Sequence, residues 1–385
     1  MVKLHFNYKD IFRAGRLGFS AKKIWTGFLG LLLGLLIYNI FAYAGFLFSP
    51  DWSLSEIWQN YRLAPLPKVG GVSLSLLGWF LLGLGSLLSL VIGLLTSTAI
   101  SKITIEQLRG DEFYESREAM KFALKNWKGV VLSPFTLAVF ILLLLIGGLL
   151  MGLIGRIPFL GPLFIAFFSI PFIGAGIFVA YLVVVFLVSF IMGPPVVATT
   201  KSDTFDTLFE VFSIVNDQPW RLVLWKSLLL LVAFLGILFL GFFVDQGLSV
   251  TQWALSPFFM GRGDLSPMWH NGLSSLPRMP ATILLIDNIV EFYAPSLFLP
   301  QPFQPVNWTG AIGSFLFGVT FYFVALFVLS YGLAILSAGD TLIYTVLTKI
   351  KDDKNLLEVK EEESLEEEAI PTTTEETKKE EEKKE

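Results

Sequence analysis

Long apolar runs alternate along the chain with segments that are either rich in Lys and Arg or almost free of charge. Six runs, over residues 24–48, 74–100, 130–154, 172–192, 222–244 and 311–336, are long enough to cross a bilayer. A helix rising ~1.5 Å per residue needs about 20 residues to cross a hydrocarbon core of about 30 Å. The pattern predicts an all-α membrane protein with six transmembrane helices. Residues 1–23 form a cytoplasmic amphipathic segment, 24–350 a six-span membrane domain with a long external loop at 245–310, and 351–385 a disordered tail.

Orientation follows from the basic residues, which resist translocation when they flank a span. Of 28 Lys and Arg, 23 fall at the N-terminus, in the connections after the second and fourth runs, and in the tail. Both termini are therefore expected in the cytoplasm, with three hairpins crossing outward and back.

The basic connections carry helical periodicity. Lys9, Arg13, Arg16, Ser20 and Lys23 recur at steps of three and four before the first span. Arg117, Lys121, Lys125 and Lys128 line one face before the third, with Met120, Leu124 and Trp127 beside them. Before the fifth, Phe205, Leu208, Phe209 and Phe212 form an apolar face opposite Asp206, Glu210 and Ser213. Ser202, Asp203 or Thr204 is its cap, and Pro219 its end. Such helices lie in the membrane interface, with cations toward the headgroups.

Lys9, Arg13, Arg16, Lys23, Arg117, Lys121, Lys125 and Lys128 are accordingly candidate contacts to anionic lipid, each contributing about 1 kcal/mol near the surface. Topological anchoring alone accounts for the same residues. Trp25, Trp127, Trp220 and Trp225 sit where an indole is half wetted and serve as interfacial anchors. An aromatic-small pair precedes three of these Trp (Phe19-Ser20, Phe122-Ala123, Phe212-Ser213), a faint repeat of unequal spacing.

In the long external loop, residues 282–293 read as a half-polar helix too short to span, and Pro171 with Gly174 and Gly176 is positioned to kink the fourth span. Ala42-Tyr43-Ala44 has the form of a signal cleavage site. The preceding run exceeds the about 7–15 residues of a signal core, so the first span is expected to remain uncleaved.

A hydrophobic fraction of 54% with 16% charged residues excludes an ordinary soluble domain. The net charge of −4 conceals a division between an acidic tail and a basic membrane body. With no Cys and only two His, at positions 5 and 270, thiolate metal sites and bis-His haem within the spans are excluded, and no cofactor is implied. No acidic or basic residue falls within the span interiors, apart from Lys226 near the start of the fifth, where it is free to snorkel. This argues against ion-coupled transport. The Gly30/Gly34 and Gly148/Gly152 pairs have the spacing of close helix packing. The one external cluster suited to hydrolysis, Asp264, Ser266, His270, Asp287 and Glu291, lacks an accompanying catalytic motif. Basic stretches flank spans, so no nucleic-acid partner is implied.

The stretch 202–221 (SDTFDTLFEVFSIVNDQPWR), with Gly193-Pro194-Pro195, Glu118-Ala119-Met120-Lys121-Phe122 and Arg156-Ile157-Pro158-Phe159-Leu160-Gly161, resembles a group of uncharacterised bacterial multi-span membrane proteins. More distantly it resembles the membrane domain that precedes some glycerophosphodiester phosphodiesterases. The resemblance implies residence in the bacterial inner membrane, without the phosphodiesterase activity. The leading expectation is a non-catalytic accessory, scaffold or assembly subunit of a membrane complex. Its expected partners are membrane lipids, other complex subunits and a cytosolic partner for the tail. The alternatives are a permease or channel for a lipid or apolar small molecule, and an enzyme acting on the external face.

Overall fold

The structure is a computed structural model that describes residues 4–50, 52–61, 74–259, 265–276, 304 and 306–358. Among them every regular element is helical and no strand forms. That follows from composition, since backbone groups in hydrocarbon must be satisfied within the segment itself. Six long helices match the six apolar runs: α2 (Ala21–Leu47), α4 (Leu76–Arg109), α6 (Trp127–Ile154), α8 (Ser169–Thr200), α10 (Pro219–Phe259) and α12 (Trp308–Asp352).

Four of them overrun the expected spans. α4, α8 and α12 continue past residues 100, 192 and 336 on the basic face, and α10 continues past 244 on the opposite face to Phe259. At ~1.5 Å per residue, the 45 residues of α12 extend about 68 Å, more than twice the thickness of a hydrocarbon core. Exposed large apolar side chains stop at Leu90 on α4 and Leu187 on α8, and are absent from α12 between Phe327 and Ile350. Toward the basic face, these helices are covered by one another instead.

Short helices complete that face. A 3-10 turn (Tyr8–Phe12) and α1 (Arg13–Gly18) precede α2, α5 (Ser116–Lys125) precedes α6, and α9 (Thr204–Asp217) precedes α10. The interruptions fall at Phe19-Ser20, Asn126 and Gln218. A short surface helix before a span thus recurs three times, in the same places as the aromatic-small pairs. Asp203 caps α9, accepting the Asp206 N–H at 2.9 Å. Pro219 opens α10, where its missing N–H costs nothing. α4 ends on Gly110, whose φ of 106° lets Asp111 N–H reach the Glu106 carbonyl at 2.9 Å.

The opposite face holds α3 (Leu54–Tyr61), α7 (Leu160–Phe167) and α11 (Leu265–Leu273). Pro171 sits in the first turn of α8 and does not break it, and a separate short helix, α7, precedes it. Trp269 of α11 packs on Phe321 of α12 with ring centroids 4.8 Å apart. The expected helix at 282–293 lies outside the described residues. So does the chain from residue 359; of the expected disordered segment 351–385, residues 351–358 are described, and Leu356 and Leu357 are buried in the main core.

The two glycine pairs part company. A Cβ on Gly30 would collide with Thr96 of α4, and Ser89 donates to the Gly34 carbonyl at 2.7 Å, so α2 and α4 meet backbone to backbone. Gly148 and Gly152 face open space. Beyond Leu137 on α6 and before Leu182 on α8 no apolar side chain is buried, so this hairpin stands apart from the bundle over its outer half.

Overpacking a close helix contact costs about 1–3 kcal/mol. We therefore expect Gly30→Leu to lower the thermal unfolding midpoint of the purified protein in detergent, and Gly148→Leu to leave it unchanged. Equal effects from both would refute this packing.

Candidate functional site

Within the expected span bounds Lys226 is the one charged residue, but the helices overrun those bounds and bring further charges together at the basic face. Lys226 of α10 does not snorkel outward. Its Nζ donates to both carboxylate oxygens of Asp340 on α12, at 2.6 and 2.8 Å, with both side chains largely covered. Asp340 lay beyond the expected end of span six, and the overrun of α12 carries it into the packed region. A lone carboxylate there would carry a large desolvation cost, and the lysine offsets it.

A second group lies on α4. Lys102 pairs with Glu106 at 2.7 Å, one helical turn on, and Arg109 reaches the same carboxylate at 3.3 Å. Arg109 also donates to the Leu356 carbonyl at 3.0 Å, pinning the residues after α12 against α4. The Lys102 ammonium stands 4.6 Å from the centre of the Phe122 ring on α5, a cation–π contact that adds the surface helix to the group. Lys351 joins α12 to α9 through Glu210 at 3.2 Å and Ser213 at 2.9 Å. Hydroxyls of Ser97 and Ser337 meet at 2.9 Å between α4 and α12. This layer of paired charges and hydroxyls ties α4, α5, α9, α10 and α12 together.

Of the eight proposed headgroup contacts, six are on the surface: Lys9, Arg16, Arg117, Lys121, Lys125 and Lys128. Arg13 is half-buried, 3.5 Å from the buried carboxylate of Asp10. Lys23 turns inward, contrary to expectation. It is fully buried, donating to Gln107 on α4 at 2.8 Å and to the Leu17 carbonyl at 2.9 Å, so it joins α1, α2 and α4 and does not face the headgroups. Trp25, Trp127 and Trp220 are exposed, as anchors require, whereas Trp225 is half-buried and packs against the core. On α9 the packed stripe is Thr207, Val211, Ile214 and Val215, while Phe205 and Phe209 point outward. Of the apolar face expected from periodicity, Leu208 and Phe212 pack against the core, Phe205 and Phe209 are exposed, and the fully buried stripe beside them was not expected.

Arg117 and Lys121 meet Lys22 and Trp25 around a groove of roughly 650 Å³ between the start of α2 and α5. Lys22 bridges the two walls, donating to the Glu112 carbonyl at 2.9 Å and the Tyr114 carbonyl at 3.4 Å, and Ser116 Oγ donates back to the Lys22 carbonyl at 3.1 Å. Burial, with Glu106, Glu118 and Asp111 nearby, pushes the Tyr114 phenol up to about 12, so it stays neutral beside these cations.

A second cavity, roughly 890 Å³, lies between α1, α10 and α12, lined by Arg16, Phe19, Gln107, Phe239, Phe243 and Tyr331. From the external cluster, Ser266 and His270 lie on α11, and Asp264, Asp287 and Glu291 fall outside the described residues. Among the described residues no group of His, Asp and Glu is placed to hold a metal ion.

Removing one partner of a buried ion pair typically costs about 3–5 kcal/mol, whereas replacing both with apolar residues is often neutral. Asp340→Ala is expected to lower the unfolding midpoint sharply, and Lys226→Met with Asp340→Leu to restore most of it. A double variant as unstable as the single would show that the pair is not a structural tie.

No family model, no curated protein and no solved structure matches this chain.

Proposed function

We propose that this protein is a non-catalytic scaffold or accessory subunit of a bacterial inner-membrane complex, with the basic face and both termini in the cytoplasm. The observation that carries this reading is the paired charge layer. Its covered Lys, Arg, Asp and Glu pair within α4, between α10 and α12 and between α9 and α12, and with the Lys102–Phe122 contact to α5 they support a fixed platform on one side of the membrane. A platform of this kind suits docking, because its elements keep their mutual geometry while the surface around them stays exposed. The charged tail beyond 358 gives it reach toward a cytosolic partner. Membrane residence is supported by six helices long and apolar enough to span.

A second reading, a permease for a lipid or apolar small molecule, draws on the aromatic cavity between α1, α10 and α12. Proteoliposomes reconstituted with the protein would then show flux above that of protein-free vesicles for at least one apolar substrate. Sealed vesicles across a panel of such substrates would end it.

Two experiments bear on the scaffold reading. The chain contains no Cys, so single-cysteine variants report topology without background. A membrane-impermeant maleimide applied to intact spheroplasts is expected to label Ile157→Cys and to leave Lys201→Cys unlabelled until the membrane is opened. The reverse pattern would invert the orientation. Photocrosslinkers placed on the exposed polar side of α9, at Asp206, are expected to trap a reproducible protein neighbour in native membranes. Recovery of lipid alone would overturn the scaffold assignment.

A further inference from the structure

The groove between α2 and α5 holds two bases of the Arg117–Lys128 stripe and excludes the other two. Arg117 and Lys121 lie one helical turn apart, so their side chains share a face and can bracket one group. Neither makes an ion pair among the described residues, whereas Lys102 and Arg109 at the end of the neighbouring α4 are both consumed by Glu106. The single carboxylate on the groove wall, Glu115, is held in a capping box with Glu118 at the start of α5. With Lys22, Arg117 and Lys121 set against this one carboxylate, the groove is net positive.

Its floor has the opposite character. Trp25 and Leu29 lie along α2, and the exposed stripe continues down that helix through Leu33, Leu36 and Ile40 at steps of three and four. A ligand seated between the bases would have an apolar track below it, running into the membrane along one helix face. Lys22 and Ser116 stitch the walls through the hydrogen bonds already described, so the groove is formed before anything enters it.

We propose that this groove binds one anionic glycerophospholipid. Its phosphate lies between Arg117 and Lys121, its glycerol backbone beside Trp25, and one acyl chain runs along Leu29, Leu33 and Ile40. Charge complementarity selects the headgroup and the contiguous apolar stripe selects a diacyl lipid over a soluble phosphate. The site does not depend on the scaffold reading, because it requires no protein partner.

The test is native mass spectrometry of the full-length protein, delipidated in neutral detergent and titrated with phosphatidylglycerol, phosphatidylcholine or glycerol 3-phosphate. One equivalent of phosphatidylglycerol is expected to be retained in preference to phosphatidylcholine, with no competition from glycerol 3-phosphate. Arg117→Gln with Lys121→Gln is expected to weaken retention about 30-fold, from two phosphate-facing charges. Lys125→Gln with Lys128→Gln removes the same charge outside the groove and is expected to leave retention unchanged. Leu29→Asn, which keeps every charge, is expected to weaken retention as well. Equal losses from the two double variants would mean that the stripe attracts lipid only as general surface charge, and equal retention of phosphatidylcholine would mean that no headgroup is selected. Competition by glycerol 3-phosphate would assign the site to a soluble phosphate. Each of these three results overturns the proposal.

Discussion

A charge buried between helices persists only where an opposite charge or a set of hydrogen-bond donors meets it, and at the basic face of this protein that requirement sets how the helices align. Asp340 stands on α12, the helix against which α1, α2, α4, α8 and α10 all pack. Meeting Lys226 fixes the rotation and height of α10 against it. The same logic repeats outward: Arg109 holds the end of α12 to α4, Lys351 holds it to α9, and Lys23 holds the start of α2 to α4. Close packing at glycines, as at Gly30 and Gly339, fixes the same helices by shape, and the paired charges add a directional constraint that apolar contacts lack.

The molecule is consequently uneven along its length. Near the charge layer, helices bury one another; farther off, the α6–α8 hairpin is exposed along its outer half and close contact is kept mainly by small residues, as where Gly45 and Gly78 bring α2 and α4 together at their far ends. The α6–α8 hairpin departs from the bundle in this way, whereas α2 and α4 stay together to their far ends and Trp269 and Phe321 pack α11 against α12 on the opposite face. The groove between α2 and α5 lies where these two regimes meet, walled by the ordered face and floored by a lipid-facing stripe.

The hydrogen bonds of the layer also explain why surface helices precede three spans. α1, α5 and α9 each end one residue or a few before a long helix, and each covers part of the packed region: Gly18 against Ile335, Phe122 over Lys102, Glu210 with Lys351. They cover part of the buried charge layer. On α9 one apolar side packs on protein and another is exposed, so Val211 and Ile214 stand within while Phe205 and Phe209 stand outside.

Much of this architecture was written into residue order. Six helices, their approximate starts, the surface helices and the cap on α9 all follow from local rules, because apolar run length, periodicity and capping act within a few residues of one another. Residue order also picked out Arg117, Lys121 and Trp25, and all three are exposed. It did not reveal that Lys23 turns inward, that Asp340 belongs to a long helix instead of a connection, or that Gly30 packs while Gly148 does not. Apolarity is the same signal whether a side chain meets lipid or protein, and a charge near a span end carries no mark of its partner. Lys226 and Asp340 are far apart in sequence and become a pair only when α10 and α12 pack. What the chain determined alone was which segments leave water. Which of their faces meet lipid, and which charges meet one another, was decided by tertiary packing, because only there do distant residues share the same low-dielectric space.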